Sequence, residues 1–408
     1  MIVLNRIVRL LFVFPLVFIM ILVVMVNVKL GHKPEIKVDD GDTIRYELVK
    51  ELRRLKSALH QNADLEMQNL YPEGYLFLNA VYALAWSSFL SHEEHKKYFE
   101  EGHAEIHKAW MKISSSVGKA PFSEELALPY GSFYNGWSSY VLGSKLRLES
   151  ADMRNDQEVH HFKRQCNLIA KAIQQRTYPS SYHGAAWPAD VMLCVASLSM
   201  HDRIFEPEYK GVIQKWLTEV KKRLDHHGMI PHAVHPGNGK AEESARGSSM
   251  ALMLIFLYDI DVQFAREQFQ LFNKYFVSNR LGLTGVREYP KGSPGTADID
   301  SGPLLLGFGG AATIVGMQTL SRFGQSDASL SIRNAVEALA LPLQDEHHKE
   351  YFFGSLPIAD AFIAWSHSRM KSSEQQVTFI RFHFYSLLVF VFLSTLFWIL
   401  TGSKPQTN

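Results

Sequence analysis

Prolines recur along this chain at a nearly constant interval, and each precedes a stretch rich in small and apolar residues. They are 57, 59, 115 and 54 residues apart, and the series is Pro72, Pro129, Pro188, Pro303 and Pro357. The third spacing is two intervals with one proline missing, and the gap falls near Ala245, where another apolar run begins. Proline suits the first position of a helix because its missing N–H needs no partner there. The series therefore predicts six regularly spaced helix starts within an internal repeat.

A second, charged helix is predicted before each of these starts. The charged helices are amphipathic, at residues 43–61, 93–112, 155–174, 207–226, 262–278 and 326–341. The helices at the repeat starts are apolar nearly all round, at residues 73–90, 130–147, 187–200, 246–258, 303–321 and 356–368. A helix without a polar face is buried on all sides. No stretch shows the alternation typical of a β-strand.

Six alternations of exposed and buried helix predict an all-α fold, an (α/α)6 toroid of twelve helices spanning residues 38–371. The apolar helices would form an inner barrel and the charged helices an outer shell. An open superhelix of helical hairpins is the alternative, since it also stacks repeated pairs. We prefer the closed ring because an open array would need polar terminal caps.

Charge and cysteine content narrow the functional classes. Lys and Arg number 42 and Asp and Glu number 41, so the chain offers no electrostatic case for binding nucleic acid. Its two cysteines, Cys166 and Cys194, both lie in apolar helical patterns, which favours two buried thiols over a disulfide or a metal framework. We expect neither a metal nor a cofactor.

Two apolar segments flank the domain and are predicted to be transmembrane helices, at residues 7–29 and 380–401. The first resembles a signal peptide in position, but no small-x-small cleavage site follows Val26, so we prefer an uncleaved anchor. Two spans would make this an integral membrane protein, with the lipid bilayer as a partner and the whole domain on one side. The flanking charges do not decide which side, and we prefer the extracytoplasmic one.

Loop lengths distinguish the two ends of the predicted ring. Connections from an inner helix to the next outer one are tight, whereas those from an outer helix to the next inner one are long and rich in Gly, Pro, His and Tyr. Long loops in a compact domain are usually functional. They also end at helix N-termini, where the free N–H groups favour anions. We expect the functional site at this end.

Four acidic residues near inner-helix starts are the candidate catalytic groups. Asp298 and Asp300 stand two residues apart before Pro303, and a pair of carboxylates can act as general acid and base. Asp190 and Glu73 lie within the first turns after Pro188 and Pro72. The alternative for the pair is that Asp300 or Ser301 caps the helix while Asp298 is solvated. For Asp190 and Glu73, the alternative is that they only complement the helix dipole.

Further residues of the long loops are candidates for binding substrate. Arg246 occupies the start that lacks proline, and because arginine is unfavourable at a helix N-terminus it needs an anionic partner. That partner is a substrate carboxylate, or else Asp298, Asp300 or Glu243. The remaining candidates are aromatic, basic or imidazole side chains, and they are Arg287, Tyr289, Trp187, Tyr134, His183 and His232. For the aromatic residues, packing between loops is the alternative.

The twelve-helix pattern resembles the (α/α)6-toroid, or six-hairpin, superfamily over about residues 43–369. That group includes inverting glycoside hydrolases, polysaccharide lyases, uronyl epimerases and membrane-associated enzymes of the linalool dehydratase–isomerase type. The resemblance implies an active site at the mouth of the inner barrel. No catalytic residue can be transferred, because the members share none. The cysteine pair expected of the dehydratase–isomerase type is missing from the mouth loops, since Cys194 and Cys166 lie on helices.

The leading hypothesis is a membrane-anchored enzyme acting on a saccharide, most simply an inverting glycoside hydrolase. Asp300 and Asp190 would form the carboxylate pair, with Asp298 and Glu73 as substitutes. A lyase, epimerase or hydro-lyase–isomerase is the alternative, using His183 or His232 with a tyrosine. A non-catalytic membrane protein that binds a glycan or a partner is a third possibility.

Overall fold

The protein was analysed as a computed structural model, which describes residues 2–39, 42–298, 301–370 and 377–401. These residues are mostly helical. The α-helices are α1 Ile2–Lys29, α2 Tyr46–His60, α3 Ala63–Leu70, α4 Gly74–Leu90, α5 Phe99–Ser114, α6 Ser116–Lys119, α7 Gly131–Leu148, α8 Asp156–Gln175, α9 Pro188–Ile204, α10 Lys210–Lys221, α11 Gly247–Ile260, α12 Val262–Tyr275, α13 Gly310–Arg322, α14 Ser326–Leu339, α15 Pro357–Arg369 and α16 Ile380–Thr401. Two short 3₁₀ helices cover Glu93–Tyr98 and Phe352–Gly354.

Short strands form hairpins between the helices, which the sequence did not indicate. They are β1 Ile36–Asp39, β2 Asp42–Arg45, β3 Ala233–Val234, β4 Ala241–Glu243, β5 Val277–Arg280, β6 Leu283–Val286, β7 Leu304–Leu305, β8 Phe308–Gly309, β9 Leu343–Gln344 and β10 Lys349–Glu350. Each odd-numbered strand pairs with the next one in an antiparallel two-stranded sheet. Strands of two to four residues are too short to show a period-two pattern, so they escaped detection.

Six apolar helices, α4, α7, α9, α11, α13 and α15, form the centre of the domain. Each contacts the next in chain order, and α15 contacts α4. Helix α4 has a buried side chain at nearly every position, as expected of a helix without a polar face. The amphipathic helices α2, α5, α8, α10, α12 and α14 each pack on one or two members of this central set.

The prolines mark these helices less uniformly than predicted. Pro188 and Pro357 occupy the first positions of α9 and α15, while Pro72 and Pro129 stand two residues ahead of α4 and α7. Pro303 is seven residues ahead of α13, because the β7–β8 hairpin intervenes. The predicted helix is present, but its predicted start at residue 303 is wrong, because the β7–β8 hairpin comes first and the helix begins at Gly310.

Buried charged side chains join the first helix of the domain to the last ones. We call this group the closure cluster; it comprises Glu47, Glu51, Arg333, Glu337, Lys349, Tyr351 and His367, all of them buried. Glu47 and Glu51 belong to α2, and their partners follow about three hundred residues later in α14, β10 and α15. The cluster thus fastens the two ends of the repeat series to each other.

The carboxylates of the closure cluster are neutralised by neighbouring cations. Lys349 Nζ donates to Glu47 and, at 2.8 and 2.7 Å, to both carboxylate oxygens of Glu337. Arg333 Nη2 donates to Glu47 at 2.8 Å. His367 Nδ1 lies 3.0 Å from Glu51. Glu51, Glu337 and His367 are close enough together to hold a metal ion, and so are His32, Glu47 and Glu337. The Lys349 ammonium already lies among these carboxylates, so we assign the cluster a structural role.

The two terminal helices are long and apolar enough to cross a membrane, over Leu11–Lys29 and Ile380–Thr401. They contact each other, and His383 Nδ1 lies 2.6 Å from Asn27 Oδ1. A small apolar cluster joins their domain-side ends to α14. Its buried members are Leu30, Ala335, Ala338 and Phe379. The two terminal helices therefore leave the domain together, alongside α14.

Candidate functional site

Long connections lie at one end of the six central helices, as predicted. Residues 176–187 lead into α9, residues 222–246 into α11 and residues 276–309 into α13. At the opposite end, Asp261 alone separates α11 from α12. We call the end that carries the long connections the mouth end. It holds the N-termini of the central helices, where backbone N–H groups lack helical partners.

A group of polar side chains converges at the mouth end around the start of α11. This Arg246 cluster comprises Arg246, Ser248, His232, Glu288 and Asp298. Arg246 Nε donates to Glu288 Oε1 at 2.7 Å, and Nη2 lies 2.9 and 2.7 Å from the two carboxylate oxygens of Asp298. The sequence predicted an anionic partner for Arg246, and the two that the structure places there are Glu288 and Asp298. Glu243, a suggested partner, instead lies 4.0 Å from His232.

Glu288 explains why α11 tolerates an arginine at its start. Its carboxylate accepts bonds from Ser248 N at 3.2 Å and from Ser248 Oγ at 2.7 Å, so it supplies the cap and the negative charge that the helix N-terminus favours. Gly247 N also donates to the Glu288 carbonyl at 2.8 Å. A Cβ on Gly247 would lie 1.8 Å from the carbonyl oxygen of Arg287. This close approach requires glycine at the first position of α11.

Electrostatics distinguish the two carboxylates on Arg246. Glu288 is fully buried, and burial raises its pKa even though Ser248 and Arg246 lower it. Asp298 has a side chain that is 40% exposed. Burial raises the pKa of Asp298, but the hydrogen bonds from Ser301 N and Arg246 lower it by more. The net effect is a lowered pKa. Asp298 is therefore an ionised, accessible carboxylate held in place by fixed donors.

Asp298 lies in a turn of the long connection and not at a helix start. Ser301 N donates to Asp298 Oδ1 at 2.9 Å, and Asp298 N donates to Ser301 Oγ at 3.0 Å. These two bonds close a tight turn within the long connection. Ser301, proposed as a helix cap, serves this turn instead, because α13 begins only at Gly310.

His232 is a neutral imidazole beside the arginine. Burial, followed by the charge of Arg246, lowers its pKa to about 4. Arg246 Nη1 lies 3.5 Å from His232 Nε2, and since arginine can only donate, Nε2 accepts and the ring proton resides on Nδ1. Nδ1 is buried and has no hydrogen-bond partner among the described residues. The sequence placed His232 among substrate-binding candidates, and the structure brings it to the Arg246 cluster.

Arg287 and Tyr289 shape the loop beside the cluster. The Tyr289 ring lies 5.4 Å from the Arg246 guanidinium carbon, within the range of a cation–π contact. Its hydroxyl donates to the Thr296 carbonyl at 2.9 Å, and Arg287 Nε donates to the Tyr289 carbonyl at 3.2 Å. Of the two, only Tyr289 faces Arg246 directly.

The other three predicted catalytic residues are placed differently. Asp190 is buried in the first turn of α9, and its carbonyl oxygen lies against Gly136 of α7. Glu73 directly precedes α4, is half-buried and makes no capping bond with its side chain. Asp300 lies outside the described residues. The carboxylate pair predicted from sequence therefore remains a prediction.

The predicted aromatic and histidine candidates pack among the mouth loops. Tyr134 is buried against Phe122 and Tyr130. Trp187 is half-buried and packs edge-on against Tyr182 at 5.5 Å, and His183 is exposed, with Nε2 3.0 Å from Ser123 Oγ. These contacts match the alternative of packing between loops, and a role in binding substrate stays a prediction.

An aromatic surface lies on α4, α7 and α15. Phe77, Phe133 and Phe362 are half-buried near the mouth ends of these helices. Phe77 lies edge-on to both others, with ring centroids 5.5 and 5.3 Å apart. Below them, Trp137 and Trp365 fill the centre. The mouth therefore has aromatic groups on the side of α4 and charged groups on the side of α11.

Two residues of the site escaped sequence reasoning. They are Glu288, which follows the candidate Arg287, and Ser248, at the start of an apolar run. The one available signal was Arg246, whose need for an anion pointed to a nearby acid without identifying it. Glu288 follows β6, and since that strand was not predicted its burial was not foreseen.

Comparisons with known proteins give architectural neighbours only. No family model and no curated protein matches the chain. A family 105 glycoside hydrolase from C. acetobutylicum ATCC 824 matches with a TM-score of 0.48 and 10% identity, covering 78% of this chain and 99% of its own. A GH76 alpha-mannanase from Bacteroides thetaiotaomicron matches with a TM-score of 0.45 and 10% identity, covering 77% and 87%. Similarity this low carries no argument about activity, substrate or catalytic residues.

Proposed function

We propose that the chain is a membrane-anchored (α/α)6-toroid enzyme that acts on a saccharide at its mouth end. The observation that carries this proposal is the Arg246 cluster. It combines a fixed guanidinium, an accessible carboxylate and a neutral imidazole at the end that bears the long loops. The closed contact order of the six central helices supports the toroid, and the two apolar terminal helices support the anchoring.

Inverting hydrolysis of a glycoside is the reaction we favour. Asp298 is suited to the general base, because its lowered pKa keeps it ionised and its partly exposed side chain can reach a water molecule. Asp190 or Asp300 would then protonate the leaving oxygen, with Glu73 as a further candidate. An inverting pair stands about 6.5–9.5 Å apart to leave room for that water. Glu288 cannot fill either role, because it is fully buried and bonded to Ser248 and Arg246.

The proposal is tested by screening the full-length protein in detergent against reducing-end-labelled oligosaccharides, followed by substitution of the acids. Asp298→Asn and Asp190→Asn should each lower turnover by about 10²–10⁴-fold. Asp327→Asn is the matched control, since Asp327 is exposed in the first turn of α14. The stereochemistry of the first product distinguishes inversion from retention. If both variants hydrolyse at the wild-type rate, Asp298 and Asp190 are not the pair. If the wild-type protein hydrolyses none of the oligosaccharides, the binding-protein alternative is favoured.

A lyase or epimerase is the second candidate, and the position of His232 favours it. His232 Nε2 is the ring nitrogen that can accept a proton, once Arg246 Nη1, 3.5 Å away, turns from it to neutralise a substrate carboxylate. Elimination would create a carbon–carbon double bond in the product and ultraviolet absorbance with it. His232→Gln should abolish that signal while hydrolysis of neutral glycosides continues. Unsaturated product from the His232→Gln variant would remove His232 as the base, and no unsaturated product from the wild type would remove the lyase.

A further inference from the structure

The membrane anchors meet the domain at its mouth end. Lys29, at the end of α1, extends its ammonium to 3.5 Å from the Pro342 carbonyl, just beyond α14. Asn334 Nδ2 donates to the Leu30 carbonyl at 2.9 Å. Helix α14 precedes a central helix, so its C-terminal end is at the mouth end. The point where the chain would enter the bilayer is therefore beside the mouth.

The β5–β6 hairpin extends this contact around the mouth. Leu283 packs against the cluster that joins α14 to the anchors. The turn residue Gly282 approaches α16 so closely that a Cβ on it would lie 2.6 Å from Phe382 N. The neighbouring β7–β8 hairpin packs on the first one, because the Phe308 ring covers Gly285. Both hairpins therefore lie next to the start of α16.

Exposed leucines occupy the tips of these two hairpins. Leu281 is 51% exposed, Leu305 65% and Leu306 50%. Leu339 and Leu343, on either side of Pro342, are also exposed and adjoin the end of α1. We call these five residues the apolar rim. Isolated exposed leucines are ordinary, whereas a contiguous exposed apolar set marks an interaction surface.

The backbone conformation of the two hairpin turns makes leucine an unusual residue there. Leu281 and Gly282 both have positive φ, of 53° and 85°, and so do Leu306 and Gly307, at 55° and 82°. Two-residue turns with positive φ at both positions favour Asn-Gly or Asp-Gly, because asparagine and aspartate tolerate the left-handed region. In both hairpins the first position instead holds a leucine whose side chain is half in solvent. Local folding does not account for leucine at either position.

We propose that the apolar rim is a bilayer-contacting surface, which holds the mouth end against the membrane beside the anchors. The inference rests on the proposed membrane anchoring and goes beyond it, since two spans alone leave the orientation of the domain free. Apolar side chains at such a surface enter the boundary between headgroups and acyl chains. A mouth in this position receives substrates carried by the membrane without their leaving it.

Depth-dependent fluorescence quenching tests the surface in the full-length protein. Leu281→Cys and Leu305→Cys are labelled with an environment-sensitive fluorophore in phosphatidylcholine vesicles that contain nitroxide-labelled lipid. Met153→Cys is the matched control, because Met153 is 53% exposed and lies in the connection between α7 and α8, at the opposite end. The native thiols Cys166 and Cys194 are buried, so the label is directed to the introduced residue.

We expect quenching of several-fold at positions 281 and 305 and none at 153. Equal signals at all three positions, whether quenched or not, would overturn the proposal. Protection of position 281 without lipid quenching, together with disulfide-linked dimers, would assign the rim to a second copy of the chain and also overturn it. Alkaline carbonate extraction separates the two claims. Release of the protein would refute the anchoring itself, whereas retention without quenching refutes only the contact of the rim with the bilayer.

Discussion

Removal of the buried lysine of the closure cluster is the most informative perturbation of the fold. Lys349 has a side chain that is only 1% exposed, and it neutralises Glu47 and Glu337 across the junction between the first and last helices. Lys349→Met keeps most of the aliphatic volume and removes the charge. The variant leaves buried carboxylates without their main cation, and breaking a buried pair costs about 3–5 kcal/mol.

The free-energy loss converts into a measurable shift in melting temperature. With an unfolding entropy of about 2.1 cal/mol/K per residue, a domain of roughly 330 residues loses about 4–7 °C for that cost. Thermal unfolding of the full-length protein in one detergent, at a fixed scan rate, measures the shift. Lys96→Met is the control, because Lys96 is 73% exposed and pairs only with exposed Glu93. The control should move the free energy of unfolding by no more than about 0.5 kcal/mol.

The pH dependence of the shift tests its cause. Burial opposes ionisation of Glu337, yet Lys349 lowers its pKa in the native protein, so the pair contributes stability that is lost as the pH falls through the folded pKa. In Lys349→Met the main influence that lowers this pKa is gone, whereas burial and the charge of Glu47 still raise it. The pKa of Glu337 in the folded variant should therefore rise. The loss of stability in Lys349→Met relative to wild type should therefore grow from pH 5 to pH 8. Adding Glu337→Gln to the variant should restore part of the lost stability. A pH-independent shift, or one equal to that of the control, would refute the electrostatic reasoning.

Three further predictions concern single positions. Gly247→Ala should disrupt the start of α11 and abolish activity, because its Cβ would collide with the Arg287 carbonyl. Gly211→Ala in α10 is the control: a Cβ there meets no atom within 4 Å, so the substitution should be neutral or stabilising by up to about 1 kcal/mol. Thermal melts and activity assays distinguish the two variants. Asp360 has a pKa raised to about 8, chiefly by burial, so its carboxyl group binds a proton more tightly in the folded state than in the unfolded state. Its contribution to the free energy of unfolding is therefore lost as the pH rises from about 4 to about 8. Asp360→Asn should therefore melt above wild type at pH 8 and not at pH 5, and the same difference at both pH values would contradict this. Leu281→Asn should relieve left-handed backbone strain and stabilise the detergent-solubilised protein by about 1 kcal/mol; a loss of stability would mean that Leu281 packs where it is described as exposed.

The helices of the domain could be predicted because their signals are local. The alternation of charged and apolar stretches located every central and outer helix to within about five residues, apart from the start of α5, which is six residues later than predicted, and the start of α13. There the predicted start at Pro303 was too early. A two-residue hairpin such as β7–β8 has no periodicity of its own, so only its packing on β6 makes it a defined element. Arg246 likewise carried a local signal, since its charge conflicts with the helix dipole.

What the sequence determined by itself is the repeat, the polarity of the central helices and the need for an anion beside Arg246, because each depends on neighbours in the chain. Only the tertiary structure decided which anions those are. Glu288 and Asp298 lie 42 and 52 residues from Arg246 and reach it through hairpins too short to predict. The same holds for the closure cluster, where α2 meets residues about three hundred positions away. A buried charge is stable only where its counter-charge is brought by folding, and that pairing is not encoded in any local pattern.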